Sequence, residues 1–514
     1  MIQLNESTTM RCLRYFRMLF AALFLAVITL VFVDISGTTS DWLQPVVRWQ
    51  FAPALLGAAT GSLGVLLFLL LLTVAFGRVY CSFLCPAGIF QDVVTTIANL
   101  FKSKRARRYT YTPPRRWLRY GILVATAVVL LSGEAALLLW LDPYGNYGRM
   151  AENIFRAGVT GLNNVGAAAF PDTFYRIGYK TFTYGSIGAG ALFFVVLTAL
   201  SAWRGRLYCN TICPVGSLLG LISKYALFHI GINKVACTHC RMCELSCKAQ
   251  CVNGRTEQLD TSRCVQCYTC TTVCRTNAIG IRFRYARKER RASPPDPSRR
   301  RIFLASAGIL GAAAVARALW PYPHLQWPAK KPKAIAPPGA QSVAHLKQHC
   351  TGCHACIAQC PSKVIRPALG EYGPDGIMMP VMDYRNAFCN YACTECSHIC
   401  PNGALLPLTE DEKKTTQIGK AQFRAENCIV LLDETDCGAC DEHCPTKAVH
   451  MVDFRDGLLI PEVDTTLCIG CGGCEYICPG RPGKAIVVQA NPEHLTAQLP
   501  PEETQESIEV DFGF

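Results

Sequence analysis

The stretch Gly77-Arg-Val-Tyr-Cys81-Ser-Phe-Leu-Cys85-Pro-Ala-Gly88 returns as Gly205-Arg-Leu-Tyr-Cys209-Asn-Thr-Ile-Cys213-Pro-Val-Gly216. A repeat of this kind marks two copies of one structural unit. Each copy follows an apolar run, Ala54 to Phe76 before the first and Ser186 to Trp203 before the second. Runs of roughly 20 apolar residues cross a ~30 Å hydrocarbon core. Two more runs, Met18 to Val33 and Leu118 to Leu141, read the same way. The first of these, behind Arg11, Arg14 and Arg17, has the outline of either a signal peptide or a span. No small-residue cleavage site follows it, so it is read as a span with a cytoplasmic N-terminus.

Charge agrees with this layout. Residues 1 to 320 carry 36 Lys and Arg against 13 Asp and Glu, whereas residues 321 to 514 carry 15 against 24. The basic excess sits beside the apolar runs, at Lys102 to Arg108, Arg115, Arg116 and Arg119. Cytoplasmic loops are enriched in positive charge, so these residues orient the chain in a bilayer and do not call for a nucleic-acid partner. A hydrophobic fraction of 50% over 514 residues likewise points to a membrane protein with soluble parts.

Thirty cysteines do not form a disulfide scaffold here, because one tight spacing recurs many times. Cys237, Cys240, Cys243 and Cys247, then Cys264, Cys267, Cys270 and Cys274, have the x2, x2, x3 spacing of a two-cluster bacterial ferredoxin. Lys248 and Arg275 replace the Pro expected after each fourth Cys. A second array holds four sets, each closed by Cys-Pro: Cys350, Cys353, Cys356, Cys360; Cys389, Cys393, Cys396, Cys400; Cys428, Cys437, Cys440, Cys444; and Cys468, Cys471, Cys474, Cys478. Tetrathiolate zinc is the rival reading, and the recurring register favours six [4Fe-4S] clusters in all. Cys350-Thr-Gly-Cys353-His354 also matches a haem c attachment motif. Thioether bonds there would strand Cys356 and Cys360, so the cluster reading is preferred.

Cys81, Cys85, Cys209 and Cys213 stand apart from those sets. Each pair is spaced i, i+4 on one helix face, with Pro86 and Pro214 breaking or capping the helix. If the two copies pack as a pseudosymmetric pair, four thiolates converge on another thiolate-bound metal or iron-sulfur centre. The alternative is small buried core cysteines. Cys12 and Cys251 have no assigned role. Glu134, inside the third apolar run, is a functional candidate, because an intramembrane carboxylate is costly to bury; interhelical polar contact is the competing role. Tyr80, Tyr208 and His229 are weaker candidates.

Arg300-Arg301-Ile-Phe303-Leu304 and the Ala/Gly-rich run after it resemble a twin-arginine export signal placed inside the chain, with cleavage near Ala316-Arg317-Ala318 as one outcome and an ordinary fifth span as the other. The domains expected are a four-span membrane domain (1–229), a cytoplasmic two-cluster domain (230–283), a basic connector (284–301), a fifth span or internal export signal (302–320), a Pro/Lys linker (321–344), a periplasmic four-cluster domain (345–490) and an acidic tail (491–514). The fold class is therefore multi-domain: an α-helical membrane bundle of about five spans with ferredoxin-like α+β cluster-binding domains on both sides.

Residues 1 to about 285 resemble the NapH/MauN membrane ferredoxin-type proteins, and residues from about 298 resemble the NapG/MauM family of exported four-cluster ferredoxins, here fused. The resemblance implies a bacterial inner-membrane quinol dehydrogenase subunit. Its partners would be the lipid bilayer, the membrane quinol pool and a periplasmic reductase or cytochrome, such as nitrate reductase. The paired Cys-x3-Cys-Pro motifs also resemble the NosR/NirI type, which implies an assembly or regulatory role; flow from a periplasmic donor to quinone is the third reading. No Rossmann fingerprint, P-loop or nucleophile elbow accompanies the clusters, so the chain relays electrons without a terminal reductase site of its own.

Overall fold

The computed structural model describes residues 7–34, 40–103, 105–178, 184–285, 334–455 and 457–499. The twin-arginine stretch, the fifth span, the connector and linker between 286 and 333, and the tail from 500 lie outside the described residues.

The first 223 residues build a helical bundle. Its elements are α1 (Ser7–Val33), α2 (Ser40–Arg48), α3 (Phe51–Leu56), α4 (Leu63–Phe76), α5 (Tyr80–Phe83), α6 (Pro86–Phe101), α7 (Arg116–Leu131), α8 (Ala136–Leu141), α9 (Pro143–Met150), α10 (Arg156–Ala169), α11 (Tyr184–Arg204), α12 (Leu207–Thr211) and α13 (Pro214–Ser223). Among the described residues, only α1 and α11 are long and apolar enough to cross a membrane uninterrupted. The second and third expected spans are broken helices instead. A 3₁₀ turn, Gly57–Thr60, and left-handed Gly61 (φ +108°) separate α3 from α4. Gly133 (φ +91°) separates α7 from α8. Both interruptions fall at glycines, which adopt a positive φ without a Cβ clash. Of the five spans expected from hydropathy, the four that fall on described residues are thus two long helices and two interrupted ones.

Two cluster-binding units flank the bundle. The first runs from β1 (Phe228–Ile232) to β4 (Ile279–Phe283), which pair antiparallel from Phe228 with Phe283 to Ile232 with Ile279. Between them lie a short hairpin, β2 (Val252–Asn253) with β3 (Gln258–Leu259), and two single-turn helices, α14 (Met242–Leu245) and α15 (Thr269–Val273). The second unit contains three antiparallel pairs: β5 (Ile365–Pro367) with β6 (Pro380–Met382), β7 (Thr416–Phe423) with β10 (Ile486–Thr496), and β8 (Val449–Arg455) with β9 (Leu458–Val463). Among the described residues it starts at Ala334, and the side chains of Ala334, Ile335, Ala336 and Ala340, inside what reads as linker, are core. It also runs past residue 490, because β10 continues to Thr496 and Ser342 bridges Glu493.

The two units dock on opposite ends of α1. Near its start, Arg14 Nη1 donates to Thr272 Oγ1 of the first unit at 2.8 Å. Near its end, the Val31 carbonyl accepts from Gln359 Nε2 of the second unit at 2.6 Å. Seventeen residues of helix separate these contacts, about 25 Å at 1.5 Å per residue. The second docking is intimate. A Cβ on Gly148 would fall 2.3 Å from the Cys353 carbonyl, and one on Gly145 would fall 2.9 Å from that of Thr351. One apolar core runs through the bundle and into the Cys350 and Cys389 region of the second unit.

Candidate metal centres

Local backbone explains how the ferredoxin sets form. In four of them the residue before the second Cys and the one after it both have positive φ: His239 and Arg241, Gln266 and Tyr268, Gly352 and His354, Gly470 and Gly472. Side-chain-bearing residues seldom adopt that region, and successive amides turned this way form a concave nest suited to an anionic core. Backbone N–H groups also donate to ligand sulfurs, from Gly352 to Cys350 Sγ at 3.3 Å, Ala421 to Cys468 Sγ at 3.4 Å and Ala485 to Cys478 Sγ at 3.3 Å.

Tertiary structure settles which fourth cysteine joins which triplet. One cavity is lined by Cys350, Cys353, Cys356 and Cys400, not Cys360. Cys360 instead faces Cys389, Cys393 and Cys396. Cys444 joins Cys468, Cys471 and Cys474. Cys478 joins Cys437 and Cys440, and packs in one core with Cys428. In the first unit, two cavities are lined by Cys237, Cys240, Cys243 with Cys274, and by Cys264, Cys267, Cys270 with Cys247. Each distant cysteine crosses to the partner cluster, as in two-cluster ferredoxins. Cys251 also lines the last cavity, with its sulfur 3.6 Å from that of Cys247. No spacing rule singled it out.

Sulfur spacing separates clusters from single ions. Among the described residues, the only three Cys, His, Asp or Glu ligand atoms within 4.8 Å of one another belong to Cys237, His239 and Glu257. A tetrahedral zinc with Zn–S near 2.3 Å needs sulfurs roughly 3.8 Å apart. Among the described residues, no three thiols alone are drawn in to that spacing. Iron-sulfur clusters, when bound, supply one-electron carriers.

The duplicated motif forms a reciprocal knot. Arg206 Nη1 donates to the Cys81 carbonyl at 2.6 Å, and Arg78 Nη2 donates to the Cys209 carbonyl at 2.9 Å. Gly88 and Gly216 make room, since a Cβ on either would fall 2.3 or 2.4 Å from those same carbonyls. The expected i, i+4 face of one helix is not what places the sulfurs. Cys81 and Cys209 lie in the short helices α5 and α12, while Cys85 and Cys213 are the N-cap residues of α6 and α13, with Pro86 and Pro214 at the first helical position. Proline there is pre-set for a helix start. All four cysteines are buried, and Cys85 lies within electrostatic range of the other three.

Around the knot is a charge network that the sequence did not announce. Asp92 Oδ2 pairs with Arg206 at 2.7 Å and Arg17 at 3.0 Å, and Lys248 lies 3.8 Å from Oδ1. Arg78, fully buried, donates instead to Asn210 Oδ1 at 2.8 Å and lies 3.7 Å from Cys81 Sγ. Tyr80 donates from its hydroxyl to Gln50 Oε1 at 3.0 Å, and Tyr208 to the Leu141 carbonyl at 3.2 Å. Glu134 sits half-buried in the break between α7 and α8, not within a continuous span. His229 lies on β1 opposite Arg282, and burial together with Arg284 and Arg282 lowers its pKa to about 4. It is neutral at physiological pH.

Comparison with known proteins points to iron-sulfur binding. A family model described as a 4Fe-4S binding domain matches residues 58–108 and 186–234, segments whose cysteines are Cys81, Cys85, Cys209 and Cys213. A 4Fe-4S dicluster model matches residues 435–481, and a further 4Fe-4S binding model matches residues 257–280. The ferredoxin-type protein NapF of Escherichia coli is 27% identical over 150 residues, 29% of this chain and 83% of its own. The methylamine utilization ferredoxin-type protein MauM of Methylophilus methylotrophus is 31% identical over 191 residues, 36% of this chain and 83% of its own. Its counterpart in Methylorubrum extorquens is 31% identical over 197 residues, 36% of this chain and 87% of its own. No solved structure matches. A multi-domain chain with several [4Fe-4S] clusters, covering most of MauM at that identity, belongs to the MauM-type ferredoxin-type iron-sulfur proteins.

Proposed function

We propose that this chain is a membrane-embedded electron conduit of the quinol dehydrogenase kind, joining a NapH/MauN-like bundle to a MauM-like array. The observation that carries the reading is the docking of the two ferredoxin units at opposite ends of α1. A soluble ferredoxin has no use for a helical bundle between its clusters. The bundle's outer surface supports a bilayer setting: Leu19 and Leu23 on α1, Leu67 and Leu71 on α4, and Leu192 and Val195 on α11 are each at least half exposed. Apolar surface on that scale marks a membrane or partner contact. The basic residues between α6 and α7 support a cytoplasmic first unit and a MauM-like unit on the far side.

In this reading quinol gives up two electrons and two protons, the electrons leaving one at a time. Glu134, in the break between α7 and α8, accepts the two protons one at a time and hands each on to water, and the electrons pass to a periplasmic reductase or cytochrome. The test is spectroscopic. A reduced quinol analogue added to the purified, cluster-loaded chain is expected to bleach the iron-sulfur absorption. Absorption that stays unbleached by quinol while dithionite bleaches it sinks the reading.

A further inference from the structure

We propose that Cys81, Cys85, Cys209 and Cys213 together hold an iron-sulfur cluster, a seventh centre buried in the bundle between the two ferredoxin units. The proposal deepens the conduit reading by supplying its missing middle station, but the centre stands or falls without quinol.

Four buried thiols are brought together by the duplicated motif, each copy locking the other through an arginine-to-carbonyl bond. Arg78 is the second observation. Among the described residues it has no carboxylate within ion-pair distance, whereas Arg206 has Asp92. A fully buried guanidinium left without an anion is costly. The groups of opposite potential charge that face it are the sulfurs of Cys81, Cys209 and Cys213. The site therefore carries negative charge when complete, as a tetrathiolate-bound core does. The positive ends of α6 and α13 reinforce this, because Cys85 and Cys213 cap them and Gly216 N–H donates to Cys213 Sγ at 3.3 Å. Zinc would also satisfy the charge. It does not satisfy the spacing, since no three of these sulfurs lie within 4.8 Å of one another.

Location gives the centre its use. Arg206, beside Cys209, lies within electrostatic range of Cys267, a ligand of the first unit's inner cluster. Tyr208, next to Cys209 in the chain, donates to the carbonyl of Leu141, which precedes Asp142, the cap of the helix whose Gly145 and Gly148 approach the Cys353 loop. Cys389 N–H then donates to the Cys471 carbonyl at 2.9 Å, linking the next two ligand sets. The seven ligand sets thus follow one another in a single file from Cys237 to Cys437. One electron enters and one leaves at the central set, an iron changing between ferric and ferrous, with no proton transferred and no bond made.

The experiment counts iron and acid-labile sulfide in the full-length protein, with electron paramagnetic resonance of the reduced state, for the wild type, Cys81→Ala and Cys209→Ala. Expected are more iron than six cubes hold in the wild type, and loss of one cluster's iron and one signal in each variant, the six ferredoxin signals remaining. Quinol-driven bleaching of the second unit is expected to fall more than tenfold in both variants, while dithionite still reduces every remaining centre. Iron equal to six cubes in the wild type overturns the proposal, as does stoichiometric zinc, and this measurement decides alone if a variant does not accumulate. A seventh centre in a protein that quinol cannot reduce leaves the proposal intact and removes the quinol reading.

Discussion

Arg78 shows what one side chain contributes when burial removes water as a partner. Its guanidinium spans the two copies of the motif and faces sulfur. Arg78→Gln keeps an amide donor for the Cys209 carbonyl and removes the charge. A unit charge at about 8 Å in an effective dielectric of about 20 is worth about 2 kcal/mol, or roughly 100 mV for one electron. Redox titration of the variant is therefore expected to give a central midpoint potential roughly 100 mV lower, with the ferredoxin potentials unmoved. His494, half-buried on β10, makes a separate case outside the bundle. Burial lowers its pKa to about 4, only partly offset by the Ala336 backbone. The folded value lies below the unfolded value of about 6.5, so between them the unfolded chain binds the extra proton. The contribution is complete above pH 6.5 and is lost as pH falls toward 4, on the order of 1 to 3 kcal/mol. Melting curves from pH 7.5 to 5 should flatten in His494→Gln; an unchanged slope would exclude this histidine as the source.

At the scale of elements, the ligand crossing is directly testable. Cys400 belongs with Cys350, so Cys400→Ser and Cys350→Ser together should cost no more iron than either alone, whereas Cys400→Ser with Cys389→Ser should cost two clusters' worth. The reverse pattern would mean that each Cys-Pro serves its own triplet. The interruption between α7 and α8 places Glu134 where the helix ladder is already broken. Glu134→Gln is expected to slow quinol-driven bleaching by roughly a hundredfold with iron content unchanged, the usual scale for a positioned proton acceptor. A variant as fast as the wild type would leave Glu134 a structural role only.

For the whole molecule, the second unit's hold on the bundle does not depend on chain continuity. Arg149 donates to the Gly352 carbonyl at 3.3 Å, Arg156 to that of Ala358 and Gln359 to that of Val31, over a shared apolar core. A protease site inserted between residues 321 and 333 should therefore cut the chain into halves that still elute together from a sizing column in mild detergent. Halves that separate on cutting would show that the connector alone keeps them joined.

The spacing of the ferredoxin cysteines, the duplicated Cys-x3-Cys-Pro motif and the charge asymmetry were legible in the sequence, because each is a local pattern that chemistry repeats. The breaks at Gly61 and Gly133 were not, because Gly64, Gly121 and Gly190 stay inside helices and nothing local tells the two kinds apart. Hydropathy overlooked them, since it averages over a window and does not register a change of backbone hand. Nothing local told Cys400 from Cys360 as the fourth ligand beside Cys350, made Asp92 the anion for three cations, or left Arg78 without one. Those facts depend on which distant segments meet. The sequence determined what this protein can bind, because ligand identity and spacing are covalent properties. Only the tertiary structure decided how the sites are ordered and charged, because proximity and burial arise when the two copies, the bundle and the two arrays pack together.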